Sequence, residues 1–202
     1  MSSPVRRLPP EQRREQLLDV LTDIIVEEGY AAVSIDRVAR TAGIARTVVY
    51  AQFENLDGMF AALVDRTQMR ALGQVSAVIP EIGIDRDPDE ILVEAIRMFT
   101  TLVRDHPRTW RLVLFPAEGA PRLVRERIEE GRVAVRALLE PVLSWGIAKR
   151  GGPTIADTDL TARLIVGLGE EMARLVLSDA ERYSPDRMAD YVGTLMAAIG
   201  RA

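Results

Sequence analysis

The chain has 202 residues, no cysteine, a single histidine (His106) and a formal charge of −4 at pH 7. Without cysteine there are no disulfides, thiolate zinc sites or cysteine nucleophiles, and one histidine leaves little for histidine-based metal or acid–base chemistry. An enzyme active site is hard to assemble from the remainder, and no catalytic residue, metal or cofactor is expected.

The length suffices for one domain or two small ones around a real core. No apolar run approaches a membrane span, and the opening MSSPVRRLPP lacks the apolar centre of a signal peptide, so a cytoplasmic protein is expected. Pro4, Pro9 and Pro10 discourage helix at the start, and residues 1–9 read as an arm. Helix one is expected from Pro10 to Glu28, stopping at Gly29. Leu17, Leu18, Leu21, Ile24 and Ile25 lie on one side of it, and Glu15, Asp19, Asp23 and Glu27 recur every four residues on the other. The simplest reading of that acidic stripe is a solvated face, at a repulsive cost of about 0.2–0.5 kcal/mol per pair. Tyr30 and Val33 are expected to pack beneath the helix.

Ile35, Val38, Ala39 and Ala42 follow at i, i+3, i+4 and i+7, the apolar face of a second helix. Ser34 stands at its N-cap, Asp36 in the first turn where the dipole favours a negative charge, and Gly43 where a helix ends in positive φ. A further helix from Arg46 to about Phe53 buries Val49 and Phe53, with Ile44 from the turn, while Arg46, Thr47 and Tyr50 point away. Two short helices joined by a glycine turn, the second with an exposed Arg/Thr/Tyr face, make a helix-turn-helix, the second helix of which enters the DNA major groove. The pattern alone also fits an ordinary helical corner.

The run Ser34-Ile35-Asp36-Arg37-Val38-Ala39, then Ala42-Gly43-Ile44, then Tyr50-Ala51-Gln52-Phe53, resembles the DNA-binding signature of the tetracycline-repressor (TetR) family. The resemblance implies an all-α protein with an N-terminal three-helix DNA-binding domain at 1–55 and a helical ligand-binding and dimerisation domain at 56–202. Arg46 and Thr47, at the leading end of the recognition helix, are placed on base edges; Tyr50, Gln52 and Ser34 suit phosphates, and Arg37 joins the DNA-binding set. Three positions depart from the usual pattern: Ala45 replaces a capping Ser or Thr, Val48 a common Thr, and Leu56 a Lys. Those residues ordinarily donate to phosphates, which supply much of the affinity, so weaker binding or compensation is expected. Residues 1–60 hold seven Arg against nine acids. A positive footprint therefore requires Arg6, Arg7, Arg13, Arg14, Arg37, Arg40 and Arg46 to share one surface. The arm either reaches the DNA or is a disordered terminus.

Helix four is expected from Leu56 or Asp57 to Val78, joining head to body. After a loop at 79–87, helices follow from about Asp89 to His106 and from Pro107 to Phe115. A long one then runs from Pro121 to Arg150, with Pro141 kinking or dividing it. Its charge run from Arg122 to Glu130 reads as a solvated face. After the Gly/Pro loop at 149–157, helices at 157–179 and 185–200 carry small residues among their apolar ones. By resemblance this pair makes a four-helix homodimer interface. Gly167-Leu168-Gly169 lacks the rest of a nucleotide fingerprint. Met69, Met98, Phe99, Trp110, Phe115 and Trp145 lie on the helices that enclose the effector cavity in the resembled family; singly such side chains are more often plain core, and as a set they support an apolar pocket.

The expected function is a homodimeric transcriptional regulator, a repressor on a palindromic operator of double-stranded DNA, released by a small apolar effector. The alternatives are the same fold with a weakened head serving as an interaction module, and, further off, an enzyme.

Overall fold

The computed structural model describes residues 8–79, 85–115, 119–151 and 157–199. Arg6 and Arg7, and residues 80–84 and 152–156 of the two expected loops, lie outside the described residues. Within them the chain is all-α: α1 (Pro10–Glu28), a single 3-10 turn (Tyr30–Ala32), α2 (Ile35–Ala42), α3 (Arg46–Tyr50), α4 (Leu56–Val78), α5 (Pro88–Asp105), α6 (Pro107–Leu114), α7 (Arg122–Arg150), α8 (Thr158–Ser178) and α9 (Pro185–Ile199).

Local chemistry sets these ends. The Ser34 hydroxyl accepts the Arg37 N–H at 3.1 Å. At the other end of α2, Gly43 takes φ 67°, which a side chain would resist. The N–H groups of Gly43 and Ile44 then return to the carbonyls of Arg40 and Ala39, closing the helix as a Schellman pair. Asn55 caps α4 through the Gly58 N–H at 2.8 Å, and Asp157 caps α8 through the Leu160 N–H at 2.9 Å. Two expectations change. The recognition helix ends at Tyr50, with Ala51 and Gln52 in a turn, and α7 continues undivided through Pro141. A proline forfeits its own N–H bond and crowds the carbonyl four residues back, a cost that the flanking turns of a 29-residue helix can carry.

Two apolar cores follow. The first gathers Leu17, Leu18 and Leu21 of α1, Val38 and Ala39 of α2, Val49 and Phe53, and Met59, Phe60, Leu63 and Val64 of α4. It does not stop at residue 55: Leu112, Ala120, Val124 and Ile128 belong to it as well. The second lies between α4, α5, α6, α8 and α9, around Val75, Val103, Trp110, Leu114, Met172 and Val176. The short α6 separates them, Leu112 entering the head core while Trp110 and Leu114 enter the body core. Both sides of α6 are therefore packed, and it cannot shift in one core without disturbing the other.

Candidate functional site

The helix-turn-helix is anchored by the fully buried Val38 and Val49 and by Phe53, which leaves the opposite face of α3 outward. Arg46, Thr47 and Tyr50 are exposed on that face, Tyr50 by 53% and the Arg46 side chain by 65%. Arg46 is held in readiness by Asp36, whose Oδ1 is 2.5 Å from its Nε. Gln52 is half-buried, and its backbone carbonyl accepts from Arg14 Nη1 at 2.8 Å. The Arg14 guanidinium lies over the Phe53 ring, 4.5 Å from its centre, so Arg14 clamps α1 to the end of the motif.

Two of the residues expected at the DNA have partners within the head. Arg37 turns back to the end of α1, its Nη2 2.5 Å from Glu28 Oε1 and its Nε buried without a partner, because Glu28 stands beside the start of α2. Ser34 spends its hydroxyl on the Arg37 N–H. Ala45 occupies the N-cap of α3 and gives no side-chain bond there.

A cavity of about 440 Å³ opens between α4, α5, α6, α7 and α8. Of the six residues proposed for it, Met69, Phe99 and Trp110 share its wall. Phe99 and Trp110 meet edge to face at 5.1 Å, and Trp110 Nε1 donates to Gln74 Oε1 at 2.9 Å, fixing the indole. The other three stand outside the wall. Met98 is one helical step from Phe99 and faces out, Phe115 lies past the end of α6 and is 47% exposed, and Trp145 sits beyond the wall stretch of α7, with Lys149 Nζ 5.4 Å from its ring.

The wall is not purely apolar. Gln68, Arg132 and Glu170 belong to it, and Arg132 meets Glu170 through two bonds of 2.7 and 3.2 Å. Sequence reasoning missed Arg132. Its signal is register, since Ile128, Val135 and Leu139 share its helical face. A second hollow of about 760 Å³ between α5 and α9 is open, and of its charges Arg97 pairs with Asp186 and Asp190, Asp89 with Arg150, and Glu94 with Arg86. No cluster of acidic and histidine residues able to hold a metal occurs among the described residues, and no described helix is long and apolar enough to cross a membrane.

Residues 17–63, which span the helix-turn-helix and the start of α4, match the family model of bacterial regulatory proteins, tetR family. The chain belongs to the TetR family. The HTH-type transcriptional activator FasR of Mycolicibacterium smegmatis is 28% identical over 194 residues, covering 96% of this chain and 84% of that protein. A TetR-like transcriptional regulator from Rhodococcus sp. superposes with a TM-score of 0.73 at 24% identity, over 94% of this chain and 96% of the other. FadR of Bacillus subtilis, solved in complex with stearoyl-CoA, has the same fold, with a TM-score of 0.71 at 19% identity over 93% and 99% of the two chains. The relatives are regulators of transcription and not enzymes, and this chain is a DNA-binding transcriptional regulator.

Within this TetR protein the acidic stripe of α1 is largely exposed, as expected, and three of its carboxylates also pair with cations of other helices. Arg66 of α4 donates to Glu15 and Asp19, Arg70 of α4 reaches Glu15 at 3.1 Å, and Arg108 of α6 meets Asp23 at 3.0 Å. The charge run of α7 is likewise partly engaged, Arg127 lying 3.8 Å from Asp65 of α4. The stripe joins the DNA-binding head to α4 and α6, two of the helices that border the cavity.

The last two helices carry the largest run of exposed apolar side chains: Leu160, Leu164 and Leu168 on α8, each at least 49% exposed, with Tyr191, Leu195 and Ile199 on α9. These fall at spacings of four residues and form one stripe on each helix.

Proposed function

We propose that this regulator acts as a homodimer that binds a palindromic operator through its two recognition helices and releases it when a small apolar effector fills the cavity between α4 and α8. The observation that carries the reading is the double attachment of α6. Trp110 forms part of the cavity wall, while Leu112, two residues on, belongs to the head core. An effector that presses on Trp110 displaces a helix the head rests on. The stearoyl-CoA bound to the Bacillus subtilis relative supports an effector with a long apolar chain.

In this proposal α8 and α9 pair with their copies, covering the stripe from Leu160 to Leu168 and that from Tyr191 to Ile199. A monomer would leave that surface wet, and exposed apolar patches of this kind mark interaction sites. Arg46 and Thr47 read base edges, with Tyr50 and Gln52 against phosphates. Two-fold symmetry then asks for half-sites about one helical turn apart, roughly 34–36 Å, or a multiple of it.

The test is selection of bound duplexes from a random library with the purified protein at two salt concentrations, alongside its mass in solution. An enriched palindrome with steeply salt-dependent affinity, bound by a dimer that Leu164→Glu splits into monomers, is the expected result. No enriched sequence at low salt would overturn the operator reading. It would favour the same fold used as an interaction module, a role consistent with the uncapped α3.

A further inference from the structure

We infer that the effector presents a neutral carbonyl acceptor to Gln68 inside the cavity, as an ester, thioester, ketone or amide on an apolar chain, and not a free carboxylate. The inference rests on the reading of this cavity as the effector site.

Gln68 lies in the wall, and its Nε2 is buried with no hydrogen-bond partner. Such a group is rare in a native interior, because a donor taken from water and left unmade costs free energy. The approach that places it there is specific. Gly131 of α7 lies opposite, and a Cβ on it would stand 3.2 Å from Nε2, so the missing side chain makes room for the amide. An effector oxygen inside the cavity would supply the partner the protein does not.

The charges decide which kind of oxygen. Arg132 is the one cation of the described wall, and it is already spent: two of its nitrogens hold Glu170, and the third reaches Glu129 at 3.4 Å. Glu170 is further tied to Arg174 at 2.9 Å. The remaining charged wall residues are acids, Asp65 and Glu130, which share Arg127. Segments 80–84, 116–118 and 152–156 contain no Lys or Arg. A carboxylate entering here meets three wall carboxylates and a guanidinium that would have to abandon a bidentate pair, and burying an anion without a partner is strongly unfavourable. A neutral carbonyl meets none of these penalties and takes the amide N–H.

The test uses the full chain and displacement of the neutral dye Nile red near neutral pH by dodecanoate, methyl dodecanoate and dodecanoyl-CoA. The expected result is that the ester or the thioester binds at least about tenfold more tightly than the carboxylate, and the tighter of the two identifies a free lipid or a coenzyme-borne one as the source. Gln68→Leu is expected to weaken the neutral probe about tenfold while leaving the melting temperature of the ligand-free protein unchanged or higher, since it removes an unpartnered buried amide. Gly131→Ala, which crowds the same nitrogen, gives the same loss by an independent route. Carboxylate binding as tight as the ester, or ester binding unaffected by both substitutions, overturns the inference. If the dye binds but no probe displaces it and none shifts the melting temperature, the apolar-effector reading falls instead.

Discussion

Arg66 on α4 donates to Asp19 on α1 at 2.8 Å, and the same guanidinium reaches Glu15 Oε2 at 3.0 Å and Thr22 Oγ1 at 3.2 Å. The Arg66 side chain is 11% exposed, while the two carboxylates remain more than half exposed. The cation is thus largely desolvated while its partners keep their water. Arg66→Leu should cost about 1–2 kcal/mol, because the acids rehydrate but the bonds to α1 are lost. For a chain of this size that lowers the melting temperature by roughly 2–8 °C. Arg66→Lys should not restore it, since an ammonium lacks the planar fork that spans three acceptors. An unchanged melting temperature in Arg66→Leu would show that the apolar core alone docks α4 on α1.

The Arg108–Asp23 pair at 3.0 Å is more exposed and joins α6 to α1. Exposed pairs contribute at most about 1 kcal/mol to stability, so a double-mutant cycle on melting should show little. Its effect should appear in the switch. Removing the pair loosens the head from the helix that carries Trp110, leaving the packing of Leu112, and the coupling between effector and operator should change by about 0.5–2 kcal/mol. Operator affinity with and without effector, in Asp23→Ala, Arg108→Ala and the double variant, measures this. Equal coupling in all four proteins would leave transmission to α4 and to the packing of Leu112 in the head core.

How far the sequence reaches is clear from particular residues. Helical periods and breakers located α1 and α2 because Pro10, Gly29, Ser34 and Gly43 each act within a few residues. The body helices were legible for the same reason. Arg37, Asp19 and Met98 were not legible, because what decides them is a residue distant in sequence or a rotation about a helix axis. Glu28 claims Arg37, Arg66 claims Asp19, and one step around α5 separates the outward Met98 from Phe99 in the wall. Gln68 had no signal at all, since an unpartnered amide exists only once α7 has brought Gly131 against it.

Tyr30 is buried beneath α1 and packs against Phe60 at 5.7 Å. Burial pushes its phenol up from 10 to about 12. Between those values the unfolded chain has lost the proton and the folded one keeps it, so the native state binds more protons and stability falls as pH rises. The contribution is whole below about pH 10 and lost by about pH 12, amounting to roughly 2–3 kcal/mol. Denaturant unfolding across that window should show a decline that is shallower in Tyr30→Phe. A parallel decline in both proteins would mean that other groups carry it.

Ala45 sits at the N-cap of α3 with φ −73° and ψ 147°, the extended backbone that a capping residue adopts, yet it has no oxygen to offer. Ala45→Ser should stabilise the head by about 0.5–2 kcal/mol, with Ala45→Gly falling a few tenths short of it. The melting temperature should rise by a few degrees. No gain from serine would mean that solvent already satisfies the first N–H groups of this exposed helix.

Arg46 and Asp36 form an exposed pair, 65% and 49% accessible, so the bond is screened and Arg46 can leave it for DNA at little cost. Asp36→Ala removes a competing carboxylate from the proposed DNA face, at a loss of about 0.3–1 kcal/mol of helix-dipole stabilisation in α2. Operator affinity should therefore rise while the melting temperature falls slightly. Arg46→Ala should do the reverse, costing about 1–3 kcal/mol of binding to the preferred sequence and relaxing the preference at one base pair, as loss of a base-edge contact does. A uniform loss over all sequences, with the salt dependence of binding reduced by about one ion, would move Arg46 from base to phosphate. Selection of bound duplexes with both variants distinguishes the outcomes, and unaltered affinity and preference in Arg46→Ala would remove this residue from the DNA interface.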